Sequence, residues 1–175
     1  MATVSQEYLL KNLRYEDGKI YWLPRGYGKF DKQFAGKEAG GLTGLGYKCI
    51  AYGNTHILVH QAIWIMHNGN IPDGYEIDHI NNDGLDNRIE NLRLCLSGQN
   101  KYNMRKRKDN TSGVKGVVWN NLNRNWRARI YVDKKRLEVG SFNDINEAQE
   151  AIELARIKHH GEYANNGITG IAIWP

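Results

Sequence analysis

The stretch that decides the fold reads Tyr75-Glu-Ile-Asp-His-Ile-Asn-Asn-Asp-Gly-Leu-Asp-Asn-Arg-Ile-Glu-Asn-Leu-Arg-Leu94 and continues to Ser97-Gly-Gln-Asn100. Tyr75 to Asp78 and Leu92 to Leu96 have the composition of short strands, while Asn81 to Glu90 is too polar for one and fits a loop. Ser97 is a good N-cap, which predicts a helix from about Gly98 to Arg105. Asn100 then falls in the first turn, where backbone N–H groups and the positive dipole end favour a phosphate. Within this strand, loop, strand and helix unit, Asp78, His79, Asn91 and Asn100 carry the chemistry. A carboxylate and an amide oxygen suit a hard cation such as Mg²⁺ or Mn²⁺. An imidazole, with an ordinary pKa of about 6.5, can take a proton from water at neutral pH. Brought to one point, these are the parts needed to hydrolyse a phosphodiester with a single divalent metal. Adjacent strand residues face opposite sides, so Asp78 and His79 can serve one phosphate only if the strand ends or bends there. Asn81-Asn-Asp-Gly84 supplies such an ending.

Asn91 lies 12 positions after His79, and Asn100 lies 9 after Asn91. Upstream stands His60-Gln-Ala-Ile-Trp64, and the phrases Asp86-Asn-Arg-Ile-Glu-Asn-Leu-Arg93 and Gln99-Asn100 follow in order. This set resembles the HNH endonuclease family, and more closely the phage and intron homing nucleases in which the last H of the motif is an Asn. The resemblance implies a ββα-metal core in which Asp78 and Asn100 hold one divalent ion, Mg²⁺ or Mn²⁺. It also implies that His79 activates the attacking water and that Asn91 holds the loop so that His79 presents the correct nitrogen. His60 matches a family position too, and equally reads as a histidine at a helix start bonded to backbone. His56, His67, His159 and His160 read as surface or capping groups. Asp83, Asp86 and Arg88 read as residues that fold the loop.

Charge is unevenly spread. The 175-residue chain has a net charge of +5, yet between Gln99 and Arg136 twelve basic residues face only Asp109 and Asp133. The remainder is net acidic. A solvated surface usually mixes signs, so a polyanion is the better explanation of this block. Double-stranded DNA is the partner expected, and no protein partner is implied. No apolar run approaches the roughly 20 residues of a membrane span, and Met1 to Leu10 lacks the shape of a signal peptide. The expected compartment is the cytoplasm of a host cell, for a protein of phage or mobile-element origin. Cys49 and Cys95 are far apart and read as buried thiols, and the absence of a CxxC pair gives no support to structural zinc.

Residues 8–52 look β-rich. Tyr15-Glu-Asp-Gly-Lys-Ile-Tyr-Trp22 carries an Asp-Gly hairpin signal, and Tyr47 to Tyr52 reads as another strand. The glycines of Gly40-Gly-Leu-Thr-Gly-Leu-Gly46 lack the GK[ST] of a phosphate loop. Leu58 to His67 reads as a short helix closed by Asn68-Gly69. Beyond the basic stretch Arg105 to Thr111, Val114 to Trp119, Trp126 to Val132 and Arg136 to Phe142 are three strand candidates. A helix capped by Asp144 with Glu147 follows, its apolar stripe running through Ile145, Ala148, Ile152, Ala155 and His159 to Gly161. Ser112-Gly-Val-Lys-Gly-Val117, Trp126-Arg-Ala-Arg-Ile130, Val139-Gly-Ser-Phe142, Glu147-Ala148 and His160-Gly-Glu-Tyr-Ala164 resemble the AP2 DNA-binding domain. By alternation Ala128, Ile130 and Val132 face the helix, and Arg127, Arg129, Tyr131, Arg136 and Glu138 share the other face, which can lie in a major groove. Val118, Tyr131 and Glu138 stand where plant AP2 domains have other residues, so the GC-rich target of that family is not carried over.

The expectation is therefore an α+β chain: an HNH nuclease domain over 1–104 preceded by short strands, a basic linker over 105–111, an AP2-like domain over 112–166 and a tail over 167–175. The tail reads either as a loose strand or as a segment ordered by packing. Lys101, Arg105, Lys106, Arg107, Lys108 and Lys115 join Arg127, Arg129, Tyr131, Arg136 and Glu138 as expected DNA contacts. The function expected is a metal-dependent, site-directed DNA endonuclease of the homing type. The alternative is a non-catalytic DNA-binding regulator whose HNH unit has decayed.

Overall fold

The computed structural model describes residues 4–53 and 55–167. The expectation for the tail therefore falls, apart from Gly167, outside the described residues. The fold is mixed α/β, with several small sheets rather than one large one. The chain divides into two compact units, Met1–His79 with Asp83–Leu94, and Ile80–Asn82 with Cys95–Pro175. The basic stretch 105–111 lies inside the second of these.

The first unit opens with helix α1 (Gln6–Asn12), capped by Ser5, whose side chain accepts from the Tyr8 N–H at 3.2 Å. Strands β1 (Leu13–Glu16) and β2 (Lys19–Trp22) pair antiparallel around Asp17-Gly18, both with positive φ (43° and 76°). This is the two-residue turn that the Asp-Gly signal predicts. Helix α2 (Gly28–Phe34) buries none of its residues and is held by Phe30, which meets Trp22 edge-on at 5.6 Å. Strands β3 (Gly41–Leu42), β4 (Lys48–Tyr52) and β5 (Thr55–Leu58) form a three-stranded antiparallel sheet. A β-rich reading of 8–52 thus misses two helices. Each has seven residues and buries at most Leu9 and Asn12, too little to leave a helical period in the sequence.

Helix α3 (Val59–Asn68) follows directly and ends at Gly69, as its sequence signals predict. Its buried face, Val59, Ala62, Ile63, Ile65 and Met66, joins Leu9, Leu13, Ile20, Ile50 and Ile77 in the core of the unit. Strand β6 (Tyr75–His79) pairs with β7 (Leu92–Leu96). The loop between them ends in a single 3₁₀ turn over Ile89–Asn91.

In the second unit the helix predicted from Gly98 to Arg105 shrinks to α4 (Ser97–Asn100), with Leu96 rather than Ser97 in the N-cap position. The Gln99 side chain accepts from the Leu96 N–H at 2.8 Å. Gly98 and Asn100 are poor helix formers, and the chain passes into turns closed by Tyr102 N–H to Gln99 O at 2.9 Å. Asn100 is therefore the last residue of a four-residue helix, too short for a dipole to favour a phosphate there.

Strands β8 (Val117–Asn120), β9 (Asn125–Val132) and β10 (Lys135–Phe142) form an antiparallel sheet in the order β10-β9-β8. Asp133 and Lys134 make the second hairpin turn with φ of 48° and 66°. Helix α5 (Ile145–His160) is capped by Asp144, which accepts from Asn146 and Glu147 N–H. Val117, Ala128, Ile130, Ala148 and Ile152 are the buried core of this layer. The buried stripe of α5 runs through Ala148, Ile152, Arg156 and His160, so His160 turns inward where the sequence pattern puts His159. Gly161, at φ 54°, ends the helix.

Candidate active site

Asp78 and His79 are the last two residues of β6, and both are buried. The strand stops at His79, which meets the condition set by strand alternation. Asn87 Oδ1, an oxygen that can only accept, lies 2.8 Å from His79 Nε2. In the neutral ring Nε2 therefore carries the proton and Nδ1 the lone pair. Two more rings surround this imidazole. Tyr47 stacks on it at 6.0 Å between centroids, and His60 meets it edge-on at 4.8 Å.

His60, near the start of α3, is thus both a helix-start residue and a neighbour of His79. Burial first, and the nearby His79 second, push its pKa down to about 3. It is neutral at ordinary pH and adds no charge beside His79. Sequence reading misses both Tyr47 and Asn87, although Asn87 stands inside the quoted Asp86-Asn-Arg phrase.

The loop that carries Asn87 is braced from several sides. Asn91 Nδ2 donates to the Asp86 carbonyl at 2.7 Å, which ties the loop backbone. Arg88 donates through Nε and Nη2 to the Asp86 carboxylate at 2.8 and 2.7 Å, and Asp83 accepts from Leu85 N–H at 3.0 Å. The first hairpin packs against the same loop. A Cβ on Gly18 would stand 2.8 Å from the Arg88 backbone nitrogen, and Tyr15 OH accepts from Ile89 N–H at 3.2 Å. A Cβ on Gly84 would lie 2.7 Å from the ring of Tyr47. The N-terminal strands thereby help to set where His79 and Asn87 meet.

Asp78 has a partner that the sequence does not signal. Arg93, the second residue of β7, donates to Asp78 Oδ2 through Nε at 2.9 Å and through Nη2 at 2.8 Å. Among the described residues no cluster of three His, Cys, Asp or Glu is placed to hold a metal. The donor chemistry nonetheless fits a hard divalent ion. Asp78 offers a carboxylate that already holds a cation, the guanidinium, and Mg²⁺ takes few protein oxygens and keeps several waters. Asn100 lies in the second unit.

The expected DNA contacts of the second unit divide by exposure. Arg127, Arg129, Tyr131, Arg136 and Glu138 share the sheet face opposite α5, with Arg136 across from Tyr131 and Glu138 across from Arg129. Glu138 accepts from Arg127 and pairs with Arg136, both at 3.1 Å. Lys101 and Arg105 to Lys108 are exposed. Lys106 donates to Gly113 O at 2.6 Å, and Arg105 donates to the Asn82 carbonyl.

Lys115, expected on a phosphate, is turned inward. Its Nζ donates to the carbonyls of Tyr102, Met104 and Asn165 at 3.0, 2.5 and 2.9 Å. Burial, then Arg156, brings its pKa down to about 7. All three ammonium donors are engaged, so Lys115 ties chain segments together instead of facing DNA.

His160, which by sequence reads as a surface or capping group, is also buried. Its Nε2 lies 2.9 Å from Tyr131 O, and its ring stacks on Tyr102 at 3.9 Å. A cavity of about 950 Å³ opens here, lined by Lys101, Lys115, Arg129, Lys134 and Arg156 against Asp133 alone. Among the described residues no helix is long and apolar enough to cross a membrane.

Residues 58–102 match the HNH endonuclease family. The chain is 38% identical to Protein 3.8 of Escherichia phage T7 over 105 residues, which are 60% of this chain and 86% of that protein. It is 27% identical over 116 residues to the protein named Uncharacterized HNH endonuclease L560 of Acanthamoeba polyphaga mimivirus, covering 66% of this chain and 59% of that one. A segment of 25 residues is 60% identical to the Uncharacterized gene 5.3 protein of Enterobacteria phage T3, covering 14% of this chain and 25% of that one. No solved structure matches the chain. A matched segment that contains Asp78, His79, Asn87, Asn91 and Asn100, and a phage protein covered over most of its length, lead to one conclusion: the chain carries an HNH endonuclease domain and belongs to the family of Protein 3.8 of phage T7.

Proposed function

We propose that this protein is a metal-dependent endonuclease of the homing type that hydrolyses phosphodiester bonds of double-stranded DNA at directed sites. One observation carries the reading: a buried imidazole, His79, has its Nε2 held at 2.8 Å by Asn87 and follows the buried Asp78 at the very end of its strand. A buried imidazole N–H needs an acceptor in any role, and here that acceptor also fixes the tautomer. A general base needs a fixed tautomer, and Asn87 provides it.

His79 takes the proton of the attacking water on Nδ1. Asn91 keeps the loop closed around Asn87, and Tyr47 and His60 keep the imidazole from rotating. Asp78 and Asn100 would hold the cation, Mg²⁺ or Mn²⁺, which when bound neutralises charge growing on the leaving 3′ oxygen. The outer sheet face with Arg127, Arg129, Tyr131, Arg136 and Glu138 reads the site, as an AP2-like domain over 112–166. Lys101 and the basic stretch Arg105 to Lys108 contact phosphates. The setting is the cytoplasm of a host cell.

The test is cleavage of phage or host genomic duplex DNA with Mg²⁺ by the full-length chain. Cleavage is expected, with loss in excess chelator. His79→Ala should lower the rate by about 10²- to 10⁴-fold while duplex binding stays near wild type. Unchanged cleavage by a folded His79→Ala chain, or full activity with chelator, would overturn the reading.

A further inference from the structure

We propose that Arg93 is the resident counter-ion of Asp78 and makes cation binding at this site depend on DNA. The proposal rests on Asp78 as the cation ligand. Arg93 places both of its near donors on one oxygen, Asp78 Oδ2, at 2.9 and 2.8 Å. The pair is largely removed from water, with side chains 13% and 7% exposed, so solvent and salt screen it little. Asp78 is the penultimate residue of β6 and Arg93 the second of β7, and these strands pair. Strand pairing therefore holds the guanidinium over the carboxylate without help from the loop.

A divalent ion arriving at Asp78 meets this positive charge first. Two cations on one carboxylate repel, and an ion that takes Oδ2 displaces at least one of the arginine's hydrogen bonds. In the chain alone the guanidinium thus competes with the ion. A DNA phosphate changes the balance, because the planar fork of arginine fits phosphate as well as carboxylate. With a phosphate beside Asp78, Arg93 turns from Oδ2 to a non-bridging oxygen and leaves the carboxylate to the ion. DNA and cation then bind with positive coupling, and the ion loads chiefly when substrate is present. Arg93 acts here as a positioning residue, through Asp78 and the phosphate.

The test measures Mn²⁺ binding to the full-length chain by calorimetry, without cleavage as a readout. Without DNA, Arg93→Gln is expected to bind Mn²⁺ about tenfold tighter than wild type, a coupling of ordinary size. Asp78→Asn should lose that binding. In a His79→Ala background, where duplex stays uncut, linear duplex DNA should tighten Mn²⁺ binding about tenfold when Arg93 is present and by less than about twofold with Arg93→Gln. If Asp78→Asn abolishes binding but Arg93→Gln binds no tighter and keeps the full effect of duplex, the role of Arg93 is overturned and Asp78 stands as ligand. If Asp78→Asn binds Mn²⁺ as wild type does, the ligand reading itself falls, and this proposal with it. Should Arg93→Gln fail to fold by circular dichroism, Arg93→Lys takes its place. It leaves one donor near Oδ2 and should bind about threefold tighter than wild type without DNA, and equal affinity overturns the proposal.

Discussion

The two units treat charge in opposite ways. In the first, the polar groups of the motif are buried: Asp78, His79, Asn87, Asn91 and His60 all have little exposure, and Ile77 and Leu92 of the same strands belong to the apolar core. Among them, Asp78, His79 and Asn91 each meet a specific partner, Arg93, Asn87 and the Asp86 carbonyl. In the second, the apolar core holds five buried residues, and the arginines of the sheet lie on its outer face with Glu138 among them. Burial makes a hydrogen bond strong and an unmade one costly, so the first region has one geometry that all its members must share. Exposure leaves charges hydrated and screened, so the second region works by addition, with each cation contributing a little. Chemistry needs the former and affinity for a polyanion the latter. Where the second unit turns cations inward, the half-buried Lys115 and the buried Arg156, it bonds them to oxygens of its own chain and thereby removes them from the binding surface.

This contrast predicts where the molecule is brittle. The largest effect is expected from acid on the first unit. Burial lowers the pKa of His60 from 6.5 to about 3, so between these values the unfolded chain holds a proton that the folded chain does not. Stability is then full above about pH 6.5 and is lost as pH falls toward 3, at up to about 1.4 kcal/mol per pH unit. Urea unfolding at pH 7 and pH 5 should differ by about 2 kcal/mol from this group, and His60→Leu should flatten the difference. An unchanged difference in that variant would remove His60 from the account.

Next in size is the tautomer clamp. Asn87→Ala should lower kcat by about 10- to 100-fold with little change in duplex affinity, because it frees the ring without removing the base. A merely structural Asn87 would instead lower thermal stability and leave kcat of the surviving folded enzyme in place.

The smallest effect, and the one that sharpens the additive side, is expected from the sheet. Arg127→Ala with Arg129→Ala should leave the rate at saturating DNA nearly unchanged. It should reduce the slope of log affinity against log salt by about 0.9 for each phosphate that is no longer neutralised. It should also cost preference for the target site more than non-specific affinity. A large fall in kcat at saturation would mean that the two regions are not separable in this way.

Some of this was legible from local signals. The Asp17-Gly18 turn, strands β6 and β7, the sheet β8 to β10 and the helix closed by Gly161 lie close to where short-range patterns place them. Turn chemistry, strand alternation and caps are decided within a few residues. Helices α1 and α2 were not legible, because a seven-residue helix with little buried surface is stabilised by what it touches. Helix α4 stops early for a related reason, since a good N-cap residue cannot extend a helix through Gly98 and Asn100.

The sequence by itself determined the chemical repertoire: which residues can hold a proton or a hard cation, their order along the chain, and the concentration of positive charge between Gln99 and Arg136. The tertiary structure alone decided their partners. It put Asn87 on Nε2 of His79, Arg93 on Asp78, His60 and Tyr47 around the imidazole, and Lys115 and His160 inside the second unit. The physical reason is that a side chain's type is a local property, whereas its desolvation and its hydrogen-bond partner depend on residues many positions away. Those two quantities set which nitrogen of an imidazole can accept a proton and which cation a carboxylate holds.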